Sequence, residues 1–440
     1  MYRVLSGAIL AGLLSLAAVT GCASSASVRA AEAGRFDELR RSMIDELRRG
    51  ALDSDDARAI ARAVAEGEIA RATPPSGVDR VRELRTCARP LEDALDERAA
   101  GSDAVATAAA VILLETGLTE PESAKRYARE AGPGRDPARS AALRALETRA
   151  LVAAEDGALR RARMLDGDQE VRLAALRAAI AAADPNDRSA LLEAARLDPY
   201  PLARTIAVRA AGALGGREVV LALRDLWVLS DEPGREAIAE AWAAPRAIDV
   251  GGRAQLLWAI STQRGAPAIA AARALVRAGG EGAGEAVSVL LDSIRTSQSR
   301  DRVYAIRSAP LEDPAVRTAL IEAQGDADEA VVFAVHARHL DAPPGIVAAR
   351  ERAAAVAWLM KLAAGTSTRA VLARGALARA GVRAVVALLE RDLRSHEIPV
   401  REAAGTGLVE LGDLPRAALL LADVDPQVRT SVACAILGAP

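Results

Sequence analysis

Three cysteines and three histidines carry most of the nucleophilic and metal-ligating capacity of this 440-residue chain. His336 and His339 stand i, i+3 in Val335-His-Ala-Arg-His-Leu340, which puts two imidazoles on one helix face. That spacing could hold a metal with further ligands. No cysteine or third histidine accompanies them, so two polar positions on a surface helix is the stronger reading. No GxSxG, HExxH, phosphate-binding loop or dinucleotide fingerprint occurs. Carboxylates are abundant, yet none singles out a catalytic pair. No catalytic, metal or cofactor residue is assigned, and a non-enzymatic protein is expected.

Trp227, Trp242 and Trp258 are three of the four tryptophans and lie about 15 residues apart on consecutive expected helices. Tryptophans at interfaces are frequent energetic anchors, so the three are candidate partner contacts. The preferred reading is that large rings fill gaps in a core built from small side chains. The net charge is −2, and arginines are matched by acids along the whole chain. Such a balance gives no field for nucleic acid, and 2% aromatic content leaves no stacking platform for bases. No small-molecule substrate is indicated.

Alanine, leucine, valine and arginine dominate, and alanine and leucine favour helix. No sustained period-2 run marks a strand. Helices are expected over 35–49, 55–72, 78–99 with an interruption near Pro90, 103–116, 121–131 and 137–154. This irregular helical region spans 35–157. From about residue 158 a repeat takes over. Its copies include Asp168-Gln-Glu-Val-Arg172, Asp198-Pro-Tyr-Pro-Leu-Ala-Arg204, Pro399-Val-Arg401 and Asp425-Pro-Gln-Val-Arg429. A leucine-rich helix precedes each anchor. The Asp can cap the second helix, a Pro in its first turn costs no hydrogen bond, and glycine closes it. The Arg four residues on can pair locally with its Asp.

These segments resemble the HEAT repeat, in particular the short bacterial form called HEAT-like or PBS-lyase-like. The resemblance covers roughly 158–440 and implies an all-α fold, an α-solenoid of about nine helix pairs preceded by the irregular region. It is degraded over 246–310, where glycines cluster, and Asp313 is placed at the start of a first helix. In that family the Asp and Arg link neighbouring repeats, so they are framework residues. The stacked pairs would form a curved rod of roughly 80–100 Å at helix-packing distances. Its concave face is the usual binding surface. His396-Glu397 is one isolated His-Glu pair, where the HEAT-like deoxyhypusine hydroxylases carry several, so that activity is not implied. Cys87 and Cys434 could pair in an oxidising compartment or serve singly as small core residues. The second is preferred, because helical repeats keep distant segments distant.

At the other end, Arg3 precedes an apolar stretch that starts at Val4 and ends in Val19-Thr20-Gly21-Cys22. A charged start, an apolar run and small residues make a secretory signal. The stretch falls short of the about 20 residues a membrane-spanning helix needs. Its ending resembles the lipobox of bacterial lipoproteins. That resemblance implies a signal peptide over 1–21, fatty acyl chains on Cys22 and a membrane anchor. Ala23 after the cysteine favours the outer membrane, facing the periplasm. Residues 22–34 are small and polar and read as a flexible tether. The expected function is a membrane-anchored scaffold for unknown envelope proteins. An accessory factor binding cell-wall polymer or nascent envelope proteins is the alternative.

Overall fold

The computed structural model describes residues 25–130 and 137–440. Cys22 and the expected signal segment lie outside the described residues. Those described form helices joined by short turns, with no strand among them. No helix among them is long and apolar enough to cross a membrane.

The N-terminal part holds α1 (Ala26–Glu32), α2 (Phe36–Arg48), α3 (Ser54–Arg71), α4 (Ser76–Glu83), α5 (Glu92–Ala99), α6 (Ala104–Glu115), α7 (Pro121–Glu130) and α8 (Pro137–Arg149). Two 3-10 turns, Leu84–Cys87 and Arg89–Leu91, separate α4 from α5 around Pro90, where the backbone lacks a donor. Nine helix pairs follow. They are α9 (Gly157–Arg163) with α10 (Gln169–Ala182), α11 (Arg188–Leu197) with α12 (Pro201–Leu214), and α13 (Arg217–Leu229) with α14 (Glu232–Trp242). Next come α15 (Gly252–Thr262) with α16 (Ala266–Ala278), α17 (Ala283–Thr296) with α18 (Ser299–Ser308), and α19 (Pro314–Ala323) with α20 (Glu329–Asp341). The last are α21 (Ala349–Ala363) with α22 (Thr368–Arg379), α23 (Val386–Asp392) with α24 (Ile398–Glu410), and α25 (Leu414–Ala417) with α26 (Pro426–Gly438). The glycines of 246–310 sit between helices or in their first turns and leave the pairing intact. Asp313 caps α19, the first helix of its pair.

The stretch expected to be a flexible tether is helical from Ala26. Ser25 accepts from the Val28 amide, and Ser27, Ala30 and Ala31 are buried as α1 packs on α2 and α3. Small residues suit this close packing as well as they suit a linker, which is why composition alone misread them.

The even-numbered helices pack on one another in sequence from α4 through α26, and α26 returns to α3, α4 and the turn Leu84–Cys87. They form a closed inner layer, with the odd-numbered helices outside it. Close approach depends on small side chains. A Cβ on Gly212 would lie 2.5 Å from the Ala241 Cβ, so α12 and α14 touch through glycine and alanine. For a circular ring of twelve helices 8–10 Å apart, the opening is roughly 20–25 Å across. All inner helices run the same way. One rim therefore carries the turns that enter them, and the other the turns that leave.

The expected open rod is thus a ring. Buried residues from 30–150 and from 340–436 share one continuous core, and a second core fills the arc between them. The N-terminal region is not a separate base, since α4, α6 and α8 are inner-ring helices. Cys87 and Cys434 are joined, with Cα atoms 5.2 Å apart across a sequence separation of 347. The preference for single thiols assumed that repeats keep the chain ends apart. Closure of the ring removes that assumption.

Candidate interaction surface

The side chains that fix the inner face come first from the repeat itself. Asp168, Asp231, Asp328 and Asp425 cap the inner helices α10, α14, α20 and α26 through their carboxylates. The anchor arginines do not pair with these caps. Arg172 reaches Asp198 of the next repeat at 2.8 Å, and also donates to the Asp166 and Gly167 carbonyls of the turn before its own helix. Arg401 does the same with Asp423 at 2.9 Å and the Ser395 and His396 carbonyls. Arg374 reaches Asp392, and Arg302 reaches Asp326. Each arginine therefore ties one layer to the next. The turns Asp166-Gly-Asp168, Asp326-Ala-Asp328 and Asp423-Val-Asp425 divide two tasks. The second Asp caps, and the first receives an arginine from the preceding inner helix. That doubled acid was a readable signal that the single-Asp pattern missed.

The ladder does not stop at the last repeat. Arg429 donates to Glu68 of α3 at 2.7 Å and to the Asp423 and Val424 carbonyls. Glu68 thus stands where a further repeat would place its aspartate. The Arg429 guanidinium also lies 4.0 Å over the Phe36 ring, a favourable cation–π geometry. Arg40 donates to the Ala422 carbonyl and Arg58 to that of Pro440.

From α12 to α24 the inner face divides into two halves. On α14, Glu232, Glu236 and Glu240 form one stripe at i, i+4, i+8. Arg209 of α12 pairs with Glu240, and Arg273 of α16 pairs with Glu236 and Glu240 at 2.6 and 2.9 Å. Arg300 of α18 skips a layer to meet Glu232 at 2.8 Å. Inner layers are 8–10 Å apart, so this reach is possible only on a concave face. The charges of this half neutralise one another.

The half formed by α18, α20, α22 and α24 differs. It holds a groove of about 570 Å³. Its stripes are Phe333, Ala337 and Asp341 on α20, Leu372, Gly375 and Arg379 on α22, and Ala403, Thr406 and Glu410 on α24, with Arg307 of α18 at the edge. Nine residues after their caps, α10, α12, α14 and α18 carry Arg177, Arg209, Glu240 and Arg307, whereas α16, α20, α22 and α24 carry Ala274, Ala337, Ala376 and Thr406. Three successive layers with small residues there, and Gly375 next to Ala376, line the groove. Arg307, Asp341, Arg379 and Glu410 have no hydrogen-bond or ion-pair partner among the described residues. Leu372 is 54% exposed.

The candidate partner tryptophans are not on this face as a group. Trp227 and Trp242 are buried and stacked at 5.1 Å, and the Trp242 indole donates to the Val220 carbonyl. Trp258 packs edge-on against Trp227 and is covered by Arg224 at 4.2 Å. Trp227 and Trp242 lie within the core, and Trp258 is half-buried at its edge. His336 and His339 are core residues, against the surface-helix expectation. His336 stacks on Trp358 at 4.9 Å, and His339 contacts Gln324 through Nδ1. Burial pushes the His336 imidazole down to about 4, and His339 acts in the same direction. Burial also lowers His339, with Glu351 opposing.

A separate cavity between α1, α3 and α5 gathers Glu32, Glu66, Asp93 and Glu97 beside Arg98. Burial raises the Glu66 carboxyl, Arg62 opposes it, and Asp93 and Glu32 add to it. Among the described residues no group of His, Cys, Asp or Glu is placed to hold a metal ion. No family model matches the chain, and no curated protein matches it.

Proposed function

We propose that this chain is a lipid-anchored envelope protein whose helical ring serves as a protein-binding scaffold, with no reaction of its own. The inner groove carries the reading. Four charges there lack partners, while the adjoining stretch from α12 to α18 has paired its charges across layers. Anchoring rests on the lipobox-like Val19-Thr20-Gly21-Cys22. Ser27 bonds Glu46 near the end of α2, so α1 begins on the side of the ring where the inner helices end. Only Ala23 and Ser24 separate Cys22 from Ser25, a reach of about 10 Å at 3.3–3.6 Å per residue. Lipid on Cys22 would hold that rim close to the bilayer and leave the other facing outward.

The test is capture from detergent-solubilised membranes after cross-linking in cells. Wild type should retain a defined protein that Gly375→Phe loses. Equal retention by both would contradict the reading. Cys22→Ser should leave the membrane fraction, and retention there would contradict the anchor.

The outward rim favours a second reading, a holdase for nascent envelope proteins. Leu165, Leu197 and Leu229 recur every 32 residues there and are 70%, 65% and 78% exposed, with Val228 beside them at 68%. Suppression of client aggregation that Leu197→Asp and Leu229→Asp abolish would support it. Undiminished suppression would remove it.

A further inference from the structure

We propose that the groove across α18, α20, α22 and α24 receives one amphipathic helix of a partner protein, lying along the ring axis. The helix would have an aliphatic and small-residue face that ends in one acidic and one basic side chain. This inference rests on the scaffold reading and names the partner's chemistry.

The groove is tiered. Its inner helices are parallel, so residues at matching heights form levels. Phe333 and Leu372 make an apolar level. Ala337, Gly375 and Thr406 make a level of small side chains. Asp341, Arg379 and Glu410 make a charged level at the rim where the helices end. Arg338 also lines the groove, but its guanidinium is held by the Ala309 carbonyl. On that level signs alternate from layer to layer: Asp341, Arg379, Glu410. A ligand of one sign would meet repulsion at every second layer. A segment carrying both signs pairs with neighbours such as Asp341 and Arg379.

The helical form follows from backbone chemistry. Every backbone donor and acceptor needs a partner when buried. The apolar and small levels are lined by side chains that offer almost none, and the wall helices have bonded their own backbones. An extended segment would leave its amides unpaired, whereas a helix satisfies them internally. The three levels span eight residues of wall helix, about 12 Å at 1.5 Å per residue, which matches i, i+4 and i+8 of a ligand helix. A helix about 10 Å wide also passes an opening of roughly 20–25 Å. Glycine and alanine at mid-height let it approach closely. A Cβ on Gly375 would meet only the Arg379 guanidinium, at 3.7 Å.

The test is site-specific photo-cross-linking in cells with the full chain. A photo-reactive residue replaces Leu372 in the groove, Leu229 on the outward rim, or Leu221 on the outer layer. Cross-linked peptides are then sequenced. Leu372 should give one partner segment with an apolar i, i+4 face followed by an acid and a base within one turn. Gly375→Phe should lower that yield at least tenfold while leaving the melting temperature unchanged or higher. Arg379→Glu should lower it, and reversing the partner's acidic residue should restore it. A segment without that pattern, or a yield indifferent to Gly375→Phe, overturns the helix proposal. A partner found only from Leu229 overturns it while sparing the scaffold reading. No partner from any of the three positions overturns both.

Discussion

His336 and His339 show how a residue's chemistry depends on its surroundings. Their spacing on α20 would suit a metal, yet they lie in the core between α19 and α21, with Trp358, Gln324 and Glu351 as neighbours. A histidine whose folded pKa lies below the ordinary 6.5 binds fewer protons folded than unfolded between the two values. Stability therefore increases with pH across the window from about 4 to about 6.5 and is lost as acid is added. The His336 share is about 3 kcal/mol at full protonation, at 1.36 kcal/mol per unit. His336→Phe keeps the stack on Trp358 and removes the titration. Urea melts at pH 7 and pH 4.5 should show a smaller acid loss in this variant, by about 2–3 kcal/mol. Equal losses in both proteins would contradict the buried neutral imidazole. A second buried ionic position is Arg160, which bonds Asp187 at 2.6 Å with both side chains fully buried. Arg160→Met should cost about 1–3 kcal/mol in thermal or chemical melts, because Asp187 and the Leu151 and Ala153 carbonyls lose a buried donor while Arg161 still reaches Asp187 at 3.0 Å. A cost under 1 kcal/mol would contradict that pairing.

At the scale of helices, the repeat was legible because capping and turn chemistry are local. Asp at the cap, Pro in the first turn and Gly at the end can be read without knowing any neighbour. The helices expected over 35–154 and the nine pairs after them follow that local signal. The partner of each arginine was not legible, because the acid lies in another layer. Glu68 is the clearest case: nothing near it in sequence marks it as the acid for Arg429. It also pairs with Arg80 at 2.9 Å and Arg71 at 3.4 Å. The two single substitutions should therefore differ. Arg429→Met leaves Glu68 with two cations, whereas Glu68→Met strands buried Arg429. Chemical melts should show the Glu68 variant less stable than the Arg429 variant by about 1–2 kcal/mol, given 3–5 kcal/mol for an uncompensated buried charge. The reverse order would contradict Glu68 as the closing acid. The groove was likewise hidden. Ala337, Gly375 and Thr406 look like ordinary helix residues until their layers are aligned.

At the scale of the molecule, the ring depends on contacts between residues near the two ends of the described chain, and sequence patterns carry little information at that range. Curvature accumulates from small rotations between layers, so an open array and a closed one share the same repeats. Closure places the groove on the inside of a ring, where a partner is surrounded, and ties both ends together through Arg429, Glu68 and the cysteine pair. Removing the disulfide by Cys87→Ser with Cys434→Ser should lower stability by about 4–5 kcal/mol, since the loop it closes is very long. The ion pairs and shared core should still keep the ring shut. The central claim is that the ends meet, and a peptide map of the protein digested without reductant tests it most directly. One linked peptide pair containing Cys87 and Cys434 is the predicted result. Two separate peptides, each with its thiol still free after exposure to a mild oxidant, would contradict the closed ring, because joined ends hold the two cysteines within bonding reach.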